Sequence, residues 1–227
     1  MSGPRRLVVF DVDGTLVDSQ NDIVAAMSQA FVSEGLTAPA RSEVLGIVGL
    51  SLDVALPRLA PDASAAAHQR MVEGYKAAYM ALRAQAGVET SSPLYPGARE
   101  VLAALGQRPD IVLGVATGKS RRGLDKLIAG HRLEGVFTTQ QVADFHPSKP
   151  HPAMLHAALE ETGVAPEHAV MVGDTSFDME MAAAAGMAGI GVSWGYHPVE
   201  QLKAARRVIA RFEALAEALD EIWRVRA

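Results

Sequence analysis

No cysteine occurs in the 227 residues, so neither disulfides nor thiol chemistry can contribute, and a cytoplasmic location is expected. A basic surplus is also missing. The formal charge of −5 argues against a general nucleic-acid polymer or membrane-surface binder, because neither counterion release nor an anionic leaflet would favour it. That charge leaves open a phosphate site, which needs only local positive charge. Long apolar runs are absent too. Arg5 and Arg6 precede only Leu7–Phe10, too short for a signal-peptide core, and the uncharged stretch from Met181 to Tyr196 is too short to span a bilayer. Neither an internal repeat nor a low-complexity tract is visible. The remainder is 49% hydrophobic and 21% charged, an ordinary globular balance with ample material for a core.

Arg6–Phe10 is a short β-branched and aromatic run that reads as a buried strand ending at Asp11. From Ser19, a predicted N-cap, Ile23, Met27, Ala30 and Phe31 recur at helical spacing until Gly35. Gly46, Gly49 and Pro57 interrupt the region from Glu43 to Leu59. A long helical pattern follows, with Met71, Tyr75, Ala78, Tyr79 and Leu82 on one face. No strand signal appears between Val17 and Ala86. Gly87–Gly97 has linker chemistry. Beyond it, predicted strands at Ile111–Ala116, Val136–Thr139, Ala169–Val172, Gly189–Ser193 and Val208–Ile209 alternate with helical segments, which indicates a parallel sheet with helices on both faces. The expected organisation is a split α/β core, residues 1–16 and 91–227, with an α-helical block, 17–90, inserted after its first strand.

Four groups of polar residues fall just after predicted strands or in loops before helices, positions that share the carboxyl edge of a parallel sheet. The first is Asp11-Val12-Asp13-Gly14-Thr15. Carboxylates two apart on an extended chain point the same way, and Gly14 permits a sharp turn beyond them. One can be a nucleophile and the other a general acid and base. Alone, Asp-x-Asp-Gly equally describes a turn cap or a calcium loop; the apolar strand ahead and Thr-Leu-Val behind favour the catalytic pair. The second is Thr117-Gly118-Lys119, either a phosphate cradle of hydroxyl and backbone N–H groups or a simple threonine N-cap. The third is Lys149, a lysine held by neighbouring prolines as a fixed positive charge, or else a solvated loop residue. The fourth is Gly173-Asp174-Thr175-Ser176-Phe177-Asp178, two acids four apart that suit a divalent cation with hard oxygen ligands.

In this order, Asp11-x-Asp13, Thr117, Lys149 and Gly173-Asp174-x-x-x-Asp178 resemble the four motifs of the haloacid dehalogenase (HAD) superfamily, nearest its phosphoglycolate phosphatase-like branch. The resemblance covers essentially the whole chain. It implies a Rossmann-like α/β core with a helical C1 cap, a small-molecule phosphate ester as substrate and Mg2+ as cofactor. Asp11 is then expected to form an aspartyl-phosphate, and Asp13 to protonate the leaving oxygen and activate water. Mg2+ is expected on the Asp11 carboxylate, the Asp13 carbonyl oxygen and Asp174, with Asp178 anchoring Lys149. Thr117, Gly118 and Lys149 are expected to hold the phosphoryl oxygens. Asp13 is expected to be crowded by the other carboxylates, which favours the protonated form an acid catalyst needs.

Substrate choice is expected to lie with the cap. Gly49 and Ser51 belong to a candidate mobile loop, Gly46–Ser51, facing the core. Arg41 and Arg58 are candidates for a substrate carboxylate, each competing with a solvated helix surface, and Lys119 is a candidate from the core side. His146, His151 and His156, five apart and broken by prolines, do not form a metal-binding helix face. Trp194 and Tyr196 either pack or line the pocket. The dehalogenase reading leaves Asp13 superfluous. A phosphonatase needs a cap lysine, and Lys76, alone between Ser19 and Gly97, has no obvious partner. A β-phosphoglucomutase-like phosphomutase, a pyrophosphatase or nucleotidase, and an inactive binding module remain open. The expected assembly is a monomer or homodimer.

Overall fold

The computed structural model describes residues 4–226. Six strands form one parallel sheet: β1 (Arg6–Phe10), β2 (Ile111–Thr117), β3 (Thr139–Val142), β4 (Ala169–Gly173), β5 (Ala188–Val192) and β6 (Arg207–Ile209). Their order is β3-β2-β1-β4-β5-β6, so β1 lies between β2 and β4, where the order reverses. The carboxyl edge beside that reversal is where ligands bind in open α/β sheets.

Side chains on β1 alternate between two cores, as the pleat requires. Val8 and Phe10 join Leu102, Leu105, Leu124 and Trp223 on one face. These belong to α6 (Ala98–Gly106), α7 (Arg121–His131) and α10 (Leu215–Arg226). Leu7 and Val9 join Met154, Leu155 and Met181 on the other, supplied by α8 (Ala153–Thr162) and α9 (Ser176–Ala184). Both faces of the sheet are therefore covered, which explains why its strands read as apolar runs.

Between β1 and β2 the chain is helical: α1 (Gln20–Ser33), α2 (Arg41–Leu45), α3 (Leu52–Leu59), α4 (Ala65–Ala86) and the single turn α5 (Val88–Ser91). This insertion has its own core, where Ile23, Met27 and Phe31 of α1 meet Met71, Ala78 and Tyr79 of α4 around Leu56. The segment predicted as a plain linker thus contains α5. No helix among the described residues is long and apolar enough to cross a membrane.

Two further expectations are corrected. Val136–Thr139 is not a strand; β3 starts where Thr139 pairs with Gly114, and Phe137 is instead a buried core residue. The polar residues of Thr139-Gln140-Gln141 hid it, yet β3 is an edge strand, and Gln141 satisfies its amide on the Thr139 hydroxyl and His146. Ser19 does occupy the N-cap position of α1, but its side chain caps nothing and turns toward Asp13.

Candidate active site

Asp11 follows β1 directly, and its N–H donates to the Val172 carbonyl, which extends the ladder one residue past the strand. The chain then turns back on the Val12 carbonyl, which accepts from Thr15, Leu16 and Val17. Gly14 sits in that turn at φ +83°, and a Cβ there would lie 2.2 Å from Asp174 Oδ2. Only glycine meets both demands, the left-handed backbone and the approach of the acid from β4.

Lys149 is buried between two carboxylates, its Nζ 2.8 Å from Asp11 Oδ1 and 2.7 Å from Asp178 Oδ1. Asp178 divides its oxygens. Oδ1 takes the lysine, while Oδ2 accepts from the N–H and hydroxyl of Thr175 and closes the capping box that starts α9. Asp174 accepts from the Thr15 hydroxyl on one oxygen (2.9 Å) and from the Tyr196 N–H on the other (2.8 Å). Asp11 differs from both. It is 1% exposed, and its contact with Lys149 lacks hydrogen-bond geometry, so neither carboxylate oxygen accepts a hydrogen bond from a described residue.

Carboxylate oxygens of Asp11, Asp174 and Asp178 all lie within 4.8 Å of one another. Burial pushes Asp11 up to about 7, with Lys149 opposing and Asp178 adding to the rise. Burial also drives Asp174 well above the usual carboxylate range, reinforced by Asp11 and Asp178. For Lys149, desolvation pulls downward, but the charges of Asp11 and Asp178 hold the ammonium above its ordinary value. One ammonium among three buried acids leaves negative charge uncompensated. The orphaned oxygens of Asp11 and the all-oxygen donor set fit a hard divalent cation such as Mg2+.

Asp13 stands close enough to Asp11 to repel its charge, as expected, but its own oxygens are partnered. Lys119 Nζ stands 2.8 Å from its Oδ2, and the Ser19 hydroxyl donates to its Oδ1 at 2.5 Å. Burial is the largest influence on the Lys119 ammonium and depresses it, yet the charge of Asp13, Tyr79 and the hydrogen bond to Asp13 together carry it above its ordinary value. Thr117 closes β2 and is no N-cap: Ser120 caps α7, and the Thr117 hydroxyl accepts from the Lys119 N–H at 3.2 Å.

The helical insertion touches the core at this edge. A Cβ on Gly118 would fall 2.5 Å from the Gly49 carbonyl oxygen, so two backbones meet with no side chain between them. The Ser51 N–H donates to the hydroxyl of Ser148, next to Lys149, at 2.9 Å. A cavity of about 620 Å3 opens between α4 and α7, and Asp11, Asp13, Gly49, Thr117, Gly118 and Lys119 all line it.

Arg41 and Arg58 do not reach this cavity. Arg41 is exposed and hydrogen-bonds Gln20 and Asn21, since α2 faces solvent at that position. Arg58, also exposed, stacks over Phe177, its guanidinium carbon 5.7 Å from the ring centre. Ser51 lies at the N-cap of α3 and is not in the cavity wall. His146 bonds Gln141, and His151 Nδ1 accepts from the Ala153 N–H. Trp194 and Tyr196 brace the first loop instead of lining the pocket. Trp194 Nε1–H donates to the Thr15 carbonyl, and the Tyr196 hydroxyl accepts from the Ser19 N–H.

Sequence reasoning missed Ser19, Ser148 and Arg83. For Arg83 a signal existed, because it continues the Tyr75, Tyr79 row at the next i+4 step, which puts a charge on the inward stripe of α4.

The model of the haloacid dehalogenase-like hydrolases matches residues 8–192. Probable phosphatase IndB of Dickeya dadantii is 36% identical over 203 residues, 88% of this chain and 86% of that protein. The phosphoglycolate phosphatase of Pectobacterium atrosepticum is 31% identical over 199 residues, covering 87% and 84%. A solved hydrolase from Pseudomonas syringae superposes with a TM-score of 0.84 at 26% identity, covering 96% of this chain and 99% of its own.

Proposed function

Because the chain belongs to the haloacid dehalogenase-like hydrolases, as a phosphatase of the phosphoglycolate phosphatase-like branch, we propose that it hydrolyses a small organic phosphomonoester through an aspartyl-phosphate on Asp11. The observation that carries this reading is Asp11 itself: buried, without a hydrogen-bond donor on either oxygen, beside a fixed ammonium and at the wall of a cavity. A nucleophile needs free lone pairs, and a structural carboxylate would have spent them.

In the first half-reaction an Asp11 oxygen forms a bond to phosphorus while the phosphorus–oxygen bond to the leaving group breaks. Asp13 gives that leaving oxygen its proton. In the second, Asp13 takes a proton from water, whose oxygen attacks phosphorus, and the bond to Asp11 breaks to release inorganic phosphate. Thr117, Gly118 and Lys149 bind the phosphoryl oxygens, and Lys149 offsets charge on the equatorial oxygens in the transition state. Asp178 positions Lys149. Asp11, Asp174 and the Asp13 carbonyl would hold Mg2+, which supplies Lewis-acid charge compensation when bound. The branch supports phosphoglycolate or a similar acid-bearing ester as substrate.

Asp11→Asn assayed beside wild type on a panel of phosphoglycolate, hexose phosphates, nucleotides and pyrophosphate with Mg2+ tests the proposal. Release of phosphate by wild type and its loss, by at least about 1,000-fold, in the variant is expected. Equal activity of the two proteins removes Asp11 as nucleophile, and no release by either favours a binding module. Transfer to a second hydroxyl of the substrate in place of water would make the enzyme a phosphomutase.

A further inference from the structure

The cavity is larger and more basic than a phosphoryl site requires. Its volume lies in the range that holds ligands of drug size, so space remains beyond Asp11 for an organic leaving group. Five basic side chains and three acidic ones stand round it. Each acid already stands beside a cation that offsets its charge: Asp11 beside Lys149, Asp13 beside Lys119, and Glu73 beside Lys76.

Arg83 of α4 stands out among the bases. It is only 6% exposed, yet its Nε and Nη2 have no hydrogen-bond partner among the described residues. Leaving two buried donor nitrogens unpaired is costly, and native proteins rarely do so without a use for them. Nε and Nη2 share one edge of the guanidinium, the side-on fork that grips two oxygens of a carboxylate or phosphate. The rest of the side chain is fixed. Nη1 donates to the Gly123 carbonyl on α7 at 3.3 Å, and the guanidinium carbon lies 5.6 Å from the Tyr79 ring centre. Lys119 approaches the same ring at 5.0 Å. Two cations thus flank one tyrosine, and of them only Lys119 has a carboxylate partner.

We infer that Arg83, assisted by Lys119, is the subsite that reads a second anionic group on the leaving-group side of the substrate. The substrate class is therefore a phosphomonoester whose organic portion carries its own carboxylate or phosphate. This rests on the phosphatase reading above and goes beyond it by assigning the selectivity to a residue of the insertion. A carboxylate at that fork pairs both free nitrogens, in the cavity that Asp11 and Arg83 both line, and bridges α4 to α7 through Arg83 and Gly123. An ester with an uncharged leaving group leaves the donors orphaned and loses that interaction.

Steady-state kinetics of wild type, Arg83→Met and Arg83→Lys distinguish the outcomes, with phosphoglycolate and 3-phosphoglycerate as carboxylate esters, fructose 1,6-bisphosphate as the second-phosphate arm, and glycerol 3-phosphate as the neutral reference. Methionine keeps the apolar stem and removes the fork. Arg83→Met is expected to lower kcat/KM about 10- to 100-fold on whichever anionic arm is the substrate, and less than about 3-fold on glycerol 3-phosphate. Arg83→Lys is expected to recover part of the loss. Equal losses on all esters would assign Arg83 to packing alone, and no loss on any would remove the subsite; either overturns the inference while Asp11 stands. Calorimetric binding of the same intact esters with Mg2+ to Asp11→Asn, with and without Arg83→Met, gives a reading independent of turnover. There the anionic esters must weaken at least 10-fold relative to glycerol 3-phosphate, or the inference fails.

Discussion

Lys149 is the residue whose removal tests the electrostatics of the site most directly. Lys149→Met keeps most of the side-chain volume and deletes the one ammonium held between Asp11 and Asp178. Breaking a buried ion pair from one side typically costs about 3–5 kcal/mol, because the remaining charge is stranded. Here the stranded charge has an escape, since Asp11 can take a proton. Burial already raises Asp11 to about 7, above its unfolded value, so in the metal-free protein this group favours folding at low pH and that contribution is lost as pH rises through 7. Lys149 is what opposes the rise. Without it Asp11 titrates higher still, and the variant keeps its proton at pH values where the wild type has lost it. The deficit between the two proteins should therefore be largest near pH 8.5 and narrow by about 1 kcal/mol per pH unit down to pH 7. It should level off below about pH 6, where both hold the proton. Urea unfolding in excess chelator at pH 8.5, 7 and 5.5 measures it. A deficit under about 1 kcal/mol at pH 8.5, or one that is flat across the three values, would refute this account of the buried charges. Turnover with Mg2+ should fall at least about 100-fold throughout.

Mg2+ at a hundred times its Kd should add about 3 kcal/mol and raise the melting temperature by about 5–10 °C. The rise should be greater at pH 8 than at pH 6, because Asp11 must shed its proton to ligate, and differential scanning calorimetry reads both. Turnover that persists in excess EDTA contradicts the metal site. Gly118→Ala places a Cβ 2.5 Å from the Gly49 carbonyl oxygen, so the loop must retreat. We expect kcat/KM to fall at least about 10-fold, with faster amide exchange across residues 46–51; unchanged kinetics would show that this contact is dispensable.

The core motifs were legible because each is local. An apolar strand ending in Asp11 or Gly173 announces its own carboxyl edge, and the topology then collects Asp11, Thr117, Lys149 and Asp174 without further information. The insertion was less legible for the opposite reason. Arg41, Arg58 and Arg83 are all arginines on helices, and which one turns inward depends on how α2, α3 and α4 dock together. Only the row through Tyr75 and Tyr79 distinguishes Arg83. Ser19 carried a plausible local role that a distant partner overrode: its hydroxyl spends its proton on Asp13 instead of capping α1. The edge strand β3 misled for a related reason. Its polar residues find partners only after Gln141 and His146 are brought side by side.

Asp178 gives one oxygen to the first turn of a helix and the other to the ammonium beside Asp11. Folding and chemistry therefore share a single carboxyl group. If that turn frays, the amine drifts; if the amine is pulled away, the turn loses half its anchor. Attempts to toughen this enzyme near α9 and attempts to retune its reactivity will meet at the same atom pair, and neither can be adjusted while the other stays still.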